Sequence, residues 1–134
     1  MKPNNLLYAK CTADSFYRAW MEFLTPFHKL TSREKDVAAR LIAQYFKLKE
    51  SISDPEVLRD VLWSRSSLKD IRESLGMTQQ HFQMVRKKLK DAAVIKDGDL
   101  NKKYIPHKGT DSRFLLQVVF DWSSAKKPVT NATQ

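Results

Sequence analysis

The apolar positions of this chain fall into spaced groups, and the spacing sets the elements. From Thr12 to about Leu24, Phe16, Trp20, Phe23 and Leu24 recur at helical intervals, with Thr12 placed to cap the first turn. Pro26 disfavours helix at Thr25. Thr31, followed three residues later by Glu34, forms a capping box. The helix it starts is expected to run to about Lys49, with Val37, Ala38, Leu41, Ile42, Tyr45 and Leu48 as its apolar stripe. Asp54-Pro55-Glu56 is another start signal: a cap, a proline at the first helical position and an acid in the first turn. Val57, Leu58, Val61 and Leu62 supply that helix's buried face, and Ser64 to Ser67 reads as a polar break.

The stretch from Leu68 to Leu89 carries the most specific pattern. With the turn placed at Gly76, the positions buried where two short helices cross fall on Ile71, Leu75, Met77, Phe82, Val85 and Leu89. All are apolar. This is the spacing of a helix-turn-helix, whose second helix is built to lie in a DNA groove. An ordinary helical hairpin is the blander reading of the same pattern.

After Leu89 the period changes. Val94-Ile95-Lys96 is a short strand candidate, Asp97-Gly98 a turn signal, and Tyr104-Ile105 a second strand stopped by Pro106. Pro106 to Ser112 reads as a polar loop. Phe114, Leu116, Val118, Phe120 and Trp122 then alternate with Leu115, Gln117, Val119 and Asp121, which is strand periodicity. The expected organisation has three parts. Residues 1–30 are an N-terminal arm and aromatic helix suited to dimerisation or docking, 31–122 the main domain, and 123–134 a disordered tail.

Charge sharpens this picture. The chain has 134 residues and a formal net charge of +9, a basic balance that suits nucleic acid but also anionic lipid or acidic proteins. Residues 66–113 hold 11 basic and 6 acidic residues, so the excess is densest where the two crossing helices lie. The single cysteine, Cys11, excludes an intramolecular disulfide. No apolar run approaches the ~20 residues that span a bilayer, and the N-terminus has no signal-peptide apolar core. A cytoplasmic protein, prokaryotic or phage-encoded, with carriage in a virion as the alternative, is the expectation. Enzyme chemistry has no support: the three histidines and one cysteine give no metal-ligand spacing, and no glycine loop for phosphate is present, so neither metal nor cofactor is expected.

Helices, then a helix-turn-helix, then a small hairpin: from Leu30 to Trp122 that order resembles the winged helix-turn-helix superfamily. The resemblance implies a mainly α fold with a small antiparallel β-wing, here with an extra N-terminal helix. Within that superfamily the chain resembles small winged-helix proteins of phages and plasmids, replication initiators among them. The phrase from Leu30 to Gln44 also resembles the start of LuxR-type output domains, but those place their turn much closer to it, and the shared part is capping chemistry. One departure stands out: the motif's fifth position, usually small, is Arg72, whose length lets it escape sideways.

The resemblance assigns roles. Residues 68–75 match the supporting helix, 78–91 the recognition helix and 96–113 the wing. Gln79, Gln80, His81 and Gln83 are the candidates for base contact, since Gln pairs with adenine N6 and N7. Thr78, Arg86, Lys87 and Lys88 are the candidates for phosphate, together with Lys102, Lys103, His107, Lys108 and Arg113 around Gly109 in the wing. Arg86, Lys87 and Lys88 equally fit a merely solvated face. His28 reads as structural or exposed. Trp20, Trp63 and Trp122 read as core rather than stacking platforms. Two functions follow. The first is a DNA-binding transcriptional regulator or replication factor, with double-stranded DNA as partner and a homodimer through the aromatic helix. The alternative is a structural or adaptor protein, for example of a phage particle, that uses the same scaffold for protein contacts.

Overall fold

A computed structural model describes residues 10–107 together with Phe114, Trp122 and Ser123. Its elements are α1 (Ala13–Phe23), α2 (Thr25–His28), α3 (Ser32–Lys49), α4 (Pro55–Leu62), α5 (Arg65–Ser74), α6 (Gln79–Asp91), β1 (Ile95–Lys96), β2 (Asp99–Leu100) and a 3-10 turn over Lys102–Tyr104. The described part is mainly helical, with one small antiparallel two-stranded sheet.

Local chemistry explains where the helices start. Thr12 and Thr31 both form capping boxes, with Ser15 and Glu34 closing them. Asp54 caps α4 ahead of Pro55, and Thr78 caps α6 through the His81 amide at 3.1 Å. Each cap satisfies an amide that the helix itself leaves open. Ser64 caps α5 in the same way, accepting from the Ser67 amide at 3.3 Å. The expected break over Ser64 to Ser67 therefore shrinks to Trp63 and Ser64, and α5 begins three residues earlier than the apolar pattern alone suggested. Polar first-turn residues carry no hydrophobic period, which hid that turn.

α3 is the centre of the molecule. Val37, Ala38, Leu41 and Ile42 are buried, and α1, α4, α5 and α6 all pack against it. α1 belongs to this same core rather than standing apart from it: Tyr17 and Met21 join Ile71, Phe82, Val85 and Leu89 in one cluster. The buried face of α1 is thus rotated from the expected one. Phe16 and Trp20 are only half-buried and Phe23 is 50% exposed. Trp20 turns instead to the C-terminal part, donating its indole N–H to the Tyr104 carbonyl at 2.8 Å, and its ring meets Phe114 edge-on. In α4, Leu58 and Leu62 are buried while Val57 stays exposed.

Two other expectations change. Helix does form at Thr25, as the short α2, because Pro26 sits in a first turn where its missing amide is no loss. The second strand is Asp99–Leu100, not Tyr104–Ile105. Asp97 and Gly98 both adopt positive φ, the two-residue turn that returns the chain at once, pairing Ile95 with Leu100 and Lys96 with Asp99. Tyr104 then lies in the 3-10 turn. The expected strand over 114–122 lies outside the described residues apart from its two end positions, as do the loop residues 108–112 and the tail beyond Ser123.

Candidate nucleic-acid interface

α5 ends and α6 begins through four residues, Leu75 to Thr78. Gly76, at φ +63°, takes the left-handed position. The Gly76 amide bonds the Glu73 carbonyl at 3.1 Å and the Met77 amide bonds the Arg72 carbonyl at 3.1 Å, which closes the helix end. Arg72 does swing aside from the helix crossing: it is half-buried and its guanidinium donates to the Met77 carbonyl at 3.1 Å. α3 fixes α5 from beneath. Arg33 donates to the Leu75 carbonyl, Arg40 to the Ser74 hydroxyl at 3.1 Å, and buried Gln44 to buried Ser67 at 3.3 Å.

These ties set the rotation of α6. Phe82, Val85 and Leu89 face the core. At about 100° per residue, the opposite face is made by Gln80, Gln83, Met84 and Lys87, all exposed, with Met84 62% exposed. Asp91 closes this face at its C-terminal end. His81 and Lys88 lie along one edge, and Gln79, Arg86 and Lys90 along the other. The candidate residues on the helix therefore divide into a face and two edges. Thr78 is exposed, but its hydroxyl oxygen is already engaged as the cap.

The sequence reading assigns Met84 no role and does not bring the phosphate candidate Arg86 together with Trp63. Met84 sits in the middle of the outward face. Arg86 is half-buried, its guanidinium carbon 5.6 Å from the centre of the Trp63 ring. Trp63 is half-buried too, and its indole N–H donates to Asp99 Oδ1 at 2.9 Å. No periodicity joins residues so far apart in sequence; only the aromatic at the end of α4 hinted at it.

The hairpin is locked to the C-terminal end of α6. Asn101 donates from its backbone to the Val94 carbonyl and from its side chain to the Ala93 carbonyl, each at 2.8 Å, and its side-chain oxygen caps the 3-10 turn through the Lys103 amide at 3.1 Å. Lys102 and Lys103 are thereby held beside the end of α6 as exposed cations, and His107 is exposed further on. Lys108 and Arg113 lie outside the described residues.

Among the described residues no helix is long and apolar enough to cross a membrane, and no cluster of three or more His, Cys, Asp or Glu is placed to hold a metal ion. Compared with family models, curated proteins and solved structures, the chain matches none.

Proposed function

We propose that this chain is a double-stranded DNA-binding protein of winged helix-turn-helix type, a transcriptional regulator or replication factor, with α6 in the major groove. The observation that carries the reading is the outward face of α6. Two amides and a cation, Gln80, Gln83 and Lys87, stand exposed opposite a wholly apolar buried face. A helix fits the major groove, where each glutamine can offer a donor and an acceptor to an adenine edge. Gln79 and His81 approach bases from the two edges. Lys87 and Lys88, with Lys102 and Lys103 from the turn that follows the hairpin, take backbone phosphates, and the formal net charge of +9 favours encounter with the duplex.

The adaptor reading draws on a different feature. Phe23 and Phe27, 50% and 72% exposed, give the α1–α2 end an apolar surface suited to a second copy or another protein.

A salt titration of binding to mixed-sequence duplex DNA, followed by fluorescence anisotropy, separates the two. With about six phosphates neutralised, affinity falls roughly a thousandfold between 50 and 200 mM salt. The Lys87→Ala/Lys88→Ala double variant gives a slope shallower by one to two units. Absent binding at 50 mM salt, or binding indifferent to those lysines, overturns the reading in favour of the adaptor.

A further inference from the structure

Arg86 is the half-buried cation of α6 and the one set over an aromatic ring. Its guanidinium lies over Trp63, and its Nε is buried without a hydrogen-bond partner. No hydrogen bond or ion pair joins it to another described residue. A buried guanidinium N–H ordinarily meets an acceptor, and no described residue supplies one to Arg86 Nε. The Asp99 carboxylate, which meets the other side of this corner, is engaged through Oδ1 with donors other than Arg86. Its Oδ1 accepts the Trp63 indole N–H at 2.9 Å and the Leu100 amide at 2.8 Å. The end of α4, the middle of α6 and the start of β2 thus meet at a cation–aromatic pair in which the indole N–H is engaged and the guanidinium donors are unspent. The open groove beside Trp63, lined by Arg59, Asp60, Asp97 and Gly98, is mixed in charge and does not select an anion. Arg86 does.

We propose that Arg86 is a preorganised clamp for a single DNA backbone phosphate, with Trp63 as its positioning residue. The inference rests on the DNA-binding reading and adds to it a place and a mechanism. A guanidinium presents a planar fork that matches two phosphate oxygens. Stacking on the indole fixes the fork before DNA arrives, so little side-chain freedom is lost on binding. Lys87 and Lys88, exposed on the same helix, hold no such fixed position. Because Trp63 is hydrogen-bonded to Asp99 on β2, the clamp also ties the hairpin's position to that of the recognition helix on one strand of the duplex.

The test is the same anisotropy titration on the full chain with three variants. Arg86→Gln keeps a flat group over the Trp63 ring and removes the charge. It is expected to melt near the wild type, bind about tenfold more weakly at 100 mM salt, and show a slope shallower by about 0.9, the value of one phosphate. Arg86→Lys keeps the charge without the fork, and is expected to retain the slope while losing several-fold in affinity. Trp63→Phe is expected to weaken binding several-fold in the wild type and not at all in the Arg86→Gln background, a non-additivity that a purely structural role would not produce. A wild-type slope in Arg86→Gln, with the Lys87→Ala/Lys88→Ala slope still reduced, overturns the clamp and leaves the DNA reading standing. A wild-type protein that does not bind DNA overturns both. Should Arg86→Gln fail to fold, Arg86→Lys decides: several-fold loss supports the clamp and wild-type affinity overturns it.

Discussion

His28 shows how one buried polar residue is made acceptable. Its Nδ1 accepts the Leu30 amide at 2.9 Å and its Nε2–H donates to the Met21 carbonyl at 2.8 Å, an assignment of the tautomer that the two partners dictate. Both nitrogens are satisfied only in the neutral ring. Burial pushes the imidazole pKa below its ordinary value, with the Lys35 ammonium adding to that and the Met21 bond and Glu22 opposing it. The unfolded chain therefore binds a proton more readily than the folded one. The stability this group contributes is present above about pH 6.5 and is lost as pH falls toward the lower folded value, at up to about 1.4 kcal/mol per pH unit. Urea unfolding between pH 7.5 and 5.5 should show that decline, well above the carboxylate range. His28→Gln should be less stable throughout but flat across the same window, and parallel slopes in the two proteins would place the dependence elsewhere. Sequence context left His28 open between structural and exposed, because its two partners come from a chain reversal that no local pattern encodes. Arg72 was more legible. Its escape from the helix crossing follows from length alone, and the Met77 carbonyl is what it finds there.

At the scale of elements, α5 and α6 end in the same hydrogen-bond arrangement with different residues. After α5, Gly76 takes the left-handed position at φ +63°, where an added Cβ would meet nothing within 4 Å. After α6, Ala93 takes it at φ +61°, with its amide on Lys90 and the Val94 amide on the Leu89 carbonyl at 2.9 Å. An alanine there is strained by about 1 kcal/mol relative to glycine. Opposite outcomes follow: Gly76→Ala should destabilise by about 1 kcal/mol through backbone strain alone, and Ala93→Gly should stabilise by several tenths. Paired thermal melts check both, and a change of the same sign in the two variants would contradict the argument. The sequence announced the first helix end through its glycine and concealed the second, since an alanine carries no turn signal. The starts of α1, α3, α4 and α6 were legible for the converse reason. Thr12, Thr31, Asp54 and Thr78 act on amides two or three residues away, so their chemistry is written locally. The second strand was misplaced because Asp97-Gly98 reverses the chain immediately. The β-rich look of Tyr104-Ile105 competed with a turn that had already finished the hairpin.

At the scale of the whole molecule, α3 is the frame on which the candidate interface is mounted. Its apolar side carries the common core. Arg33, Arg40 and Gln44 reach from it to the end, the last turn and the start of α5, and so fix the turn from which α6 departs. The spacing from Ile71 to Leu89 foretold which side of α6 is buried, because burial leaves a period. It could not foretell the Arg86–Trp63–Asp99 corner, which depends on α4, α6 and β2 meeting in space. The central claim is that the face of α6 carrying Gln80, Gln83, Met84 and Lys87 is the surface that meets DNA. Met84 offers a direct probe, being 62% exposed in the middle of that face, while Met21 and Met77, at 0% and 5%, are internal controls in the core. The measurement is a methyl spectrum of the protein with carbon-13-labelled methionine, titrated with duplex DNA. The account predicts that the Met84 signal moves and saturates with binding while those of Met21 and Met77 stay in place. A Met84 signal unmoved by saturating DNA would contradict it.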